Sequence, residues 1–308
     1  MQSRQVPAAE LTPRGPSAGR RWIIKVVRLA GLVVLAYLGV VVVLLFLENR
    51  LLFHPLTAAQ EWLAPPNGGV ADVYFRSPDG NRIHAWWCPT PGWTPDRGAV
   101  LYCHGNAGNL SHRAQSVLNW QKQLDLAVLI FDYPGYGCSD GKPSEAGCYA
   151  AAQAAYTWLT DRKHVAAEQI ILYGGSLGGG VAVQLATCHP HRALVLVRTF
   201  TSIPDAAQHV YPWLPARWLV RNKFENLAKI GRCTRPVFVA HGTADRLVPF
   251  EHGQRLYDAA NEPKRFFTMP GADHGDPLTS DFFVSLAEFL NQTSARASQP
   301  DAAALSPN

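Results

Sequence analysis

Residues 173–179 read Tyr-Gly-Gly-Ser-Leu-Gly-Gly and directly follow the apolar segment Gln-Ile-Ile-Leu at residues 169–172. A β-strand that ends in Gly-x-Ser-x-Gly and turns at once into a helix holds its serine in a sharp, strained turn. The glycines two positions before and after Ser176 leave room for that turn because they carry no Cβ atom. The hydroxyl group of Ser176 is then exposed at the end of the strand, and we predict that it is a nucleophile.

Two downstream loops carry the base and the acid that a serine nucleophile needs. The apolar segments 236–240 and 265–269 are predicted strands, and the loops that follow them carry Asp245 and His274. In chain order Ser176, Asp245 and His274 therefore each lie where a strand exits into a loop. We expect His274 to accept the serine proton. We expect Asp245 to fix the imidazole tautomer and to stabilise the imidazolium.

Two other aspartates are alternatives for the acid. Asp273 directly precedes His274, and a carboxylate next to a histidine in the chain can rarely bend back to its imidazole. Asp205 follows the preceding predicted strand and stays open as the second candidate. A turn-forming Asp245 and a loop His274 without a role are also conceivable, but the occurrence of all three residues in register favours the catalytic interpretation.

A third loop is predicted to bind the negative charge that develops during acyl transfer. Residues 99–103 read as a strand and run into His-Gly-Asn-Ala-Gly-Asn at 104–109. Acyl transfer needs two backbone N–H groups aimed at the oxyanion. We expect one from Leu177, directly after the nucleophile, and the other from Asn106. Neither Gly-x-Gly-x-x-Gly nor Gly-x-x-x-x-Gly-Lys-Ser/Thr follows a predicted strand, so we expect no nucleotide cofactor.

Taken together, these motifs resemble the α/β-hydrolase superfamily. The resemblance covers roughly residues 48–292 and implies the fold and a Ser-His-Asp triad, but it is poorly specific for substrate. More narrowly, the chain is similar to a membrane-anchored, small-lid branch that includes bacterial serine aminopeptidase-like hydrolases and eukaryotic protein depalmitoylases. The motifs that carry the resemblance are His-Gly-Asn-Ala-Gly-Asn at 104–109, Asp-Tyr-Pro-Gly-Tyr-Gly at 132–137, Gly-Gly-Ser-Leu-Gly at 174–178, His-Gly-Thr-Ala-Asp at 241–245 and Asp-His-Gly at 273–275.

The alternation of strand and helix patterns predicts an α/β fold with a mainly parallel sheet flanked by helices. In such a sheet ligands bind at the carboxyl ends of the strands, where the motifs above lie. A hairpin signature, Pro-Asp-Gly-Asn at 78–81, joins the first two predicted strands. Strands are predicted at 72–77, 82–87, 99–103, 127–132, 169–173, 193–199, 236–240 and 265–269, and helices at about 110–124, 144–162, 177–188, 250–261 and 277–291.

A segment rich in aromatic residues and proline separates the strand that ends near residue 198 from the one that begins at 236. We predict that residues 201–234 form a small cap over Ser176. A small cap implies an open cleft that admits bulky acyl substrates, including lipidated or peptide-borne ones. The rings of Trp213 and Trp218 are expected to pack in the core or in the cap.

An apolar run near the start of the chain predicts a membrane anchor. Residues 29–47 are 19 consecutive residues without a charge, and a helix of that length covers about 28 Å, close to the hydrocarbon thickness of a bilayer. A buried core helix would carry polar residues at helical spacing, and a cleaved signal peptide would be shorter and would end in small residues. We expect a single transmembrane helix that is not removed.

The charge distribution predicts the orientation of that helix. Residues 1–28 carry six basic side chains and one acidic side chain, whereas the remainder carries twenty-two of each sign. Because basic flanks stay cytoplasmic, we expect the N-terminus inside and the hydrolase domain outside the cytoplasm, in the periplasm if the source is bacterial. The basic balance is therefore a topology signal, and we expect no nucleic-acid partner.

Four segments are expected along the chain. Residues 1–28 form a basic tail predicted to be disordered, 29–47 the anchor, 48–292 a single α/β domain of about 245 residues, and 293–308 a disordered tail. The six cysteines lack the paired spacing of a zinc site, so we expect neither a metal nor a cofactor. An extracytoplasmic domain would permit a disulfide, with Cys138 and Cys148 as the best-placed pair, a question that the sequence leaves open.

The sequence favours a serine hydrolase that cleaves carboxylic esters or thioesters, because alcohols and thiols leave more readily than amines. Two alternatives remain, namely an aminopeptidase-like amide hydrolase and a membrane-tethered interaction protein without turnover. Dehalogenase-like chemistry would need an aspartate at the position of Ser176. The acyl group, the leaving group and the oligomeric state stay open.

Overall fold

A computed structural model describes residues 18–65 and 69–297. The chain divides into two units between Glu48 and Asn49. The long helix α1 (Ala18–Leu52) begins in the first unit, and the second contains an α/β fold.

Helix α1 is longer than the predicted anchor. It starts at Ala18, so residues 18–28 of the predicted disordered tail are helical, which corrects that prediction, and residues 1–17 lie outside the described residues. Among the described residues it is the only helix that is long and apolar enough to cross a membrane. Its apolar side chains are exposed, including Leu35 at 67% and Phe46 at 84%. A continuous apolar surface of this kind is typical of a segment that contacts lipid or a partner.

The second unit is built on one eight-stranded sheet with the order β10-β9-β8-β7-β4-β6-β3-β2. The pairs β2–β3 and β3–β6 are antiparallel, and every other neighbouring pair is parallel. The predicted mainly parallel sheet is therefore confirmed. Its strands are β2 (Ala71–Arg76), β3 (Arg82–Cys88), β4 (Ala99–Cys103), β6 (Ala127–Phe131), β7 (Ile170–Gly175), β8 (Ala193–Val197), β9 (Val237–Gly242) and β10 (Lys264–Met269).

A second, two-stranded parallel sheet pairs β1 (His54–Pro55) with β5 (Ala107–Gly108). The sequence did not predict it, since two residues are too few to show a periodic pattern. It joins the chain just after α1 to the loop that follows β4.

Helices cover both faces of the large sheet. Alternate residues of a central strand enter opposite cores, so that Leu101 of β4 packs into one and Val100 into the other. This two-sided burial explains why the central strands are apolar throughout. The helices are α2 (Ala114–Leu124), α3 (Glu145–Lys163), α4 (Leu177–Ala186), α5 (Ile203–Val210), α6 (Ala216–Leu219), α7 (Asn226–Ile230), α8 (Phe250–Ala259) and α9 (Ser280–Ala297).

The last helix, α9, overlaps the predicted C-terminal tail. Residues 293–297 are helical, which corrects the prediction of disorder for them, and residues 298–308 lie outside the described residues. This helix packs against the core through the buried side chains of Phe282, Leu286 and Phe289.

Three short helices, α5 to α7, connect β8 to β9 where the sequence predicts a small cap. Trp218 is 90% exposed, so the prediction that its ring packs in the core or the cap is wrong, whereas Trp213 is 53% exposed and its ring packs edge-on against that of Tyr211 in this segment, with centroids 6.3 Å apart. In α6 the buried residue is Ala216. Because residues two positions apart lie on nearly opposite sides of a helix, burial of Ala216 turns Trp218 toward solvent.

All six cysteines are free thiols. Cys148 is buried in the core, and Cys138 is half-buried beside Tyr74. Burial raises the pKa of Cys88 to about 12, and the thiols of Cys103 and Cys148 are likewise shifted upward by burial, so that their pKa values lie far above neutral pH.

Candidate active site

The strand β7 ends at Gly175 and α4 begins at Leu177, so that Ser176 forms the turn between them. Its φ of 52° lies in the left-handed region, which residues with a side chain rarely adopt. Its N–H group donates to the carbonyl oxygen of Val197 at 3.0 Å. Its carbonyl oxygen accepts from the Thr199 hydroxyl at 2.7 Å. These bonds hold the strained backbone in place.

Two glycines allow this turn to form. A Cβ atom on Gly174 would overlap the backbone of Gly178, and one on Gly178 would overlap the carbonyl oxygen of Cys103 at the end of β4. The absence of side chains therefore brings the start of α4 against the loop that follows β4. The strand-turn-helix context predicted from the sequence is confirmed at these positions.

The side chains of Ser176, His274 and Asp245 form one hydrogen-bonded chain. The Nε2 atom of His274 lies 2.9 Å from the Oγ atom of Ser176, and its Nδ1 atom lies 2.8 Å from Oδ2 of Asp245. An ionised carboxylate can only accept, so Nδ1 of His274 donates and Nε2 is left to accept the serine proton. The structure thus brings together three residues that the sequence places on separate loops.

Asp245 is buried and strongly hydrogen-bonded. Its Oδ1 atom accepts from the backbone N–H groups of Leu247 at 3.0 Å and Val248 at 2.8 Å. Burial alone would raise the pKa of Asp245, but hydrogen bonds from His241, His274 and the Val248 N–H hold it well below its usual range. The carboxylate therefore stays ionised at neutral pH and is able to orient the imidazole of His274.

The two alternative aspartates have other partners. Asp273 accepts from the backbone N–H of Arg246 at 3.1 Å, from the backbone N–H of His274 at 2.8 Å and from the Nε atom of Arg246 at 2.8 Å, and these bonds lower its pKa to about 2. Asp205 accepts from the Thr201 hydroxyl at 2.8 Å and from Arg217 at 2.9 Å. Neither carboxylate contacts the imidazole of His274.

The loop that carries Asn106 lies beside Ser176. A Cβ atom on Gly105 would lie 3.7 Å from Cβ of Ser176. Leu177 is the first residue of α4, where backbone N–H groups have no partner within the helix. Both predicted oxyanion donors thus belong to backbone that adjoins the nucleophile, and their role stays a prediction.

Two buried charged residues position these loops, and the sequence analysis assigned a role to neither. Arg198, directly after β8, donates to the carbonyl oxygen of His274 at 3.0 Å and also to that of Asp276. Asp132 is buried with Oδ1 3.4 Å from Nε2 of His104 and accepts from the N–H of Leu110 at 2.8 Å. A charged residue that ends an apolar strand, as both do, is the signal that could have identified them.

Comparisons with known proteins bear on the family and the fold of this chain. The profile of the alpha/beta hydrolase fold matches residues 98–225. An uncharacterised protein of Mycobacterium tuberculosis is 38% identical over 266 residues, which cover 85% of this chain and 94% of that protein. The alpha/beta hydrolase domain-containing protein 17B of Xenopus laevis is 32% identical over 221 residues, which cover 70% of this chain and 74% of that protein. The chain belongs to the α/β-hydrolase family.

Solved structures of α/β hydrolases share the fold of this chain. An esterase of Pyrococcus furiosus superposes with a TM-score of 0.63 at 19% identity, covering 79% of this chain and 98% of that one. Est1E of Butyrivibrio proteoclasticus, determined with bound ferulic acid, superposes with a TM-score of 0.61 at 19% identity, covering 72% and 99%. Identities this low bear on the fold alone.

No group of three or more histidine, cysteine, aspartate or glutamate side chains able to hold a metal occurs within residues 18–65 and 69–297. That this α/β hydrolase works without a metal or a cofactor stays a prediction.

Proposed function

We propose that the chain is a serine hydrolase that cleaves carboxylic esters or thioesters through an acyl-enzyme on Ser176. The observation that carries the proposal is the chain of hydrogen bonds from Ser176 Oγ through His274 to Asp245, with distances of 2.9 and 2.8 Å. A serine hydroxyl is a weak nucleophile on its own, and an oriented imidazole within hydrogen-bond reach is what activates it.

The reaction follows from the positions of these groups. Oγ of Ser176 bonds to the substrate carbonyl carbon while its proton passes to Nε2 of His274. The backbone N–H groups of Leu177 and Asn106 donate to the resulting oxyanion. The bond to the leaving alcohol or thiol then breaks, and His274 returns the proton to it. Water, activated by the same imidazole, releases the carboxylic acid and restores Ser176.

Ester or thioester substrates are favoured over peptides, because alcohols and thiols leave more readily than amines. An aminopeptidase needs an acidic pocket for the substrate's amino group. The cavity of about 400 Å³ between α5 and α8 contains Asp205 and Glu251, but Arg217 and Arg255 line it too and balance their charge. Asp205 is also hydrogen-bonded to Arg217. Amide hydrolysis remains the alternative activity.

A membrane-tethered interaction protein without turnover is the alternative from another class. Such proteins usually lose a member of the triad. Here Ser176, His274 and Asp245 are all present within hydrogen-bond distance, which supports a catalytic role.

We also propose that α1 anchors the enzyme in a membrane, with residues 29–47 in the bilayer. The basic residues of segment 1–28 would keep the N-terminus in the cytoplasm and place the hydrolase domain, residues 48–292, outside it. Residues 201–234 would form a small cap that admits a bulky or lipidated acyl substrate.

Labelling with a fluorophosphonate, which reacts with activated serines, tests the assignment of Ser176. We expect the wild-type chain to be labelled and Ser176→Ala to be unlabelled, with ester turnover lower by about 10³- to 10⁶-fold. Ser116→Ala is the matched control, because Ser116 is hydrogen-bonded to Tyr102 and lies outside the triad. Undiminished labelling of Ser176→Ala would refute the proposal. A panel of acyl esters and thioesters of increasing chain length would then define the substrate.

A further inference from the structure

The chain just after α1 is hydrogen-bonded to the loop proposed to bind the oxyanion. We define the exit segment as residues 52–56, which begin at the last residue of α1. Its strand β1 pairs with β5, and the N–H of Leu56 donates to the carbonyl oxygen of Gly108 at 3.1 Å. The carbonyl oxygen of Leu56 accepts from Nδ2 of Asn109 at 3.0 Å. The exit segment therefore runs along the whole loop from 106 to 109.

The side chain of Asn106 is the centre of this contact. Its Oδ1 atom accepts from the N–H of His54 at 3.2 Å and from the Tyr136 hydroxyl at 2.8 Å. Its Nδ2 atom donates to the carbonyl oxygen of Leu52 and to Nδ1 of His54, the latter at 3.1 Å. A carboxamide has two donor hydrogens and two acceptor lone pairs. All four are used, three of them by the exit segment.

The exit segment is itself fixed to the hydrolase core. Phe53 is only 2% exposed, and its ring packs edge-on against that of Phe224 with centroids 6.4 Å apart. On its other side, the carbonyl oxygen of Leu56 also accepts from the N–H of Gly137 at 3.0 Å. A segment held on both sides is a rigid support for the loop that it contacts.

We infer that the exit segment positions the oxyanion donor, acting through the Asn106 side chain on the Asn106 N–H. This rests on the proposed function, in which that N–H stabilises the oxyanion. An oxyanion donor is effective only when it is already aimed at the site where charge develops. The side chain that fixes the peptide at residue 106 thus matters for the transition state, although it faces the exit segment and does not touch substrate.

Two variants of the full-length chain test this positioning role. Asn106→Ala removes all four side-chain bonds but keeps the backbone N–H. We expect kcat for an ester to fall about 10- to 100-fold with KM within about twofold of wild type, because a misaligned donor weakens binding of the transition state and not of the substrate. His54→Ala removes one of the three bonds from the exit segment, so we expect a smaller loss of kcat with KM again unchanged.

Gln60→Ala is the matched control. The Oε1 atom of Gln60 accepts from the backbone N–H and from the hydroxyl group of Thr57 at 2.9 Å each, so this side chain takes no part in the bonds between the exit segment and Asn106. We expect its kcat to equal that of wild type. Thermal unfolding is measured for every variant, and His54→Ala decides the test if Asn106→Ala does not fold.

The outcomes separate this inference from the proposed function. If the wild type hydrolyses esters and the folded variants at Asn106 and His54 keep its kcat, the positioning role is wrong and the proposed function stands. An equal loss of kcat in Gln60→Ala and His54→Ala would also overturn it, since the cause would then be general loosening of the chain. A wild type that neither turns over esters nor reacts with a fluorophosphonate would overturn the proposed function, and this inference with it.

Discussion

At the scale of single residues, the backbone of Ser176 is the most unusual feature. A residue with a side chain at φ of 52° costs on the order of 1–3 kcal/mol, and such strain persists only where the surrounding structure enforces it. The bonds from Val197 and Thr199 and the close packing at Gly178 supply that enforcement here. The strain is thus part of what presents the hydroxyl to His274.

The identity of the acid gives a prediction at this scale. Asp245→Asn leaves the shape of the site unchanged but removes the charge that orients His274, so we expect kcat to fall by about 10³- to 10⁴-fold. Asp205→Asn should leave kcat near the wild-type value, because Asp205 bonds to Thr201 and Arg217. Steady-state kinetics of both variants, with circular dichroism as a check on folding, provide the comparison. A large loss confined to Asp205→Asn would show that the wrong carboxylate has been assigned.

The chain order of Ser176, Asp245 and His274 was sufficient to predict that they meet, because the carboxyl ends of parallel strands share one edge of the sheet. The charge at the end of an apolar strand marks Arg198 as unusual, but the partner of its side chain was not predictable in the same way. Its contact with the carbonyl oxygen of His274 joins residues 76 positions apart and leaves no trace in local periodicity. The partners of the Asn106 side chain were missed for the same reason.

At the scale of secondary-structure elements, the close approach of α4 to β4 determines where the proposed oxyanion donors lie. The start of α4 packs on the backbone of residues 103 and 104 with no room for a side chain at Gly178. This contact brings the start of α4, which carries Leu177, against the loop that carries Asn106. Helix packing thereby sets the spacing of the proposed oxyanion donors.

Gly178→Ala tests that packing. The added methyl group would overlap the carbonyl oxygens of Cys103 and His104, so α4 must shift away from β4. We expect ester turnover to fall at least about 100-fold and stability to fall by about 1–3 kcal/mol, as overpacking does. Gly231→Ala is the control, because its Cβ would meet only the carbonyl oxygen of Ala259 at 3.5 Å. Chemical denaturation and ester kinetics measure both effects, and wild-type turnover in Gly178→Ala would contradict the expectation.

Most strands and long helices were predictable because each has a continuous apolar or alternating pattern. The start of α1 was not, since four basic residues between positions 20 and 28 interrupt the apolar pattern while the helix continues through them. Similarly, α5 to α7 are too short for a periodic signal. The short length of these helices, more than their composition, is the reason that the sequence did not predict them.

At the scale of the whole molecule, charge is unevenly divided. The net positive charge of the chain is confined to residues 1–28, and the rest of the chain is balanced. A neutral hydrolase domain is not drawn to anionic surfaces by long-range attraction, so α1 is the element that would bring it to a membrane.

The orientation of the chain gives the prediction at this scale. With the N-terminus in the cytoplasm, alkaline phosphatase fused to the C-terminus should be active and a fluorescent protein that folds only in the cytoplasm should be dark. Replacing Arg20, Arg21, Lys25 and Arg28 by glutamine should weaken the preference for a cytoplasmic N-terminus. An active cytoplasmic reporter with inactive phosphatase would place the hydrolase domain inside the cell.

The distribution of the free thiols has a practical consequence for work with this enzyme. Alkylating reagents attack the thiolate form of an accessible cysteine, and burial of Cys88, Cys103 and Cys148 suppresses both access and ionisation. Cys188, at the end of α4, is exposed. Cys138 is half-buried, so a membrane-impermeant maleimide should modify the native chain faster at Cys188 than at Cys138, and dyes or affinity tags can be attached to the folded enzyme without introducing a new cysteine.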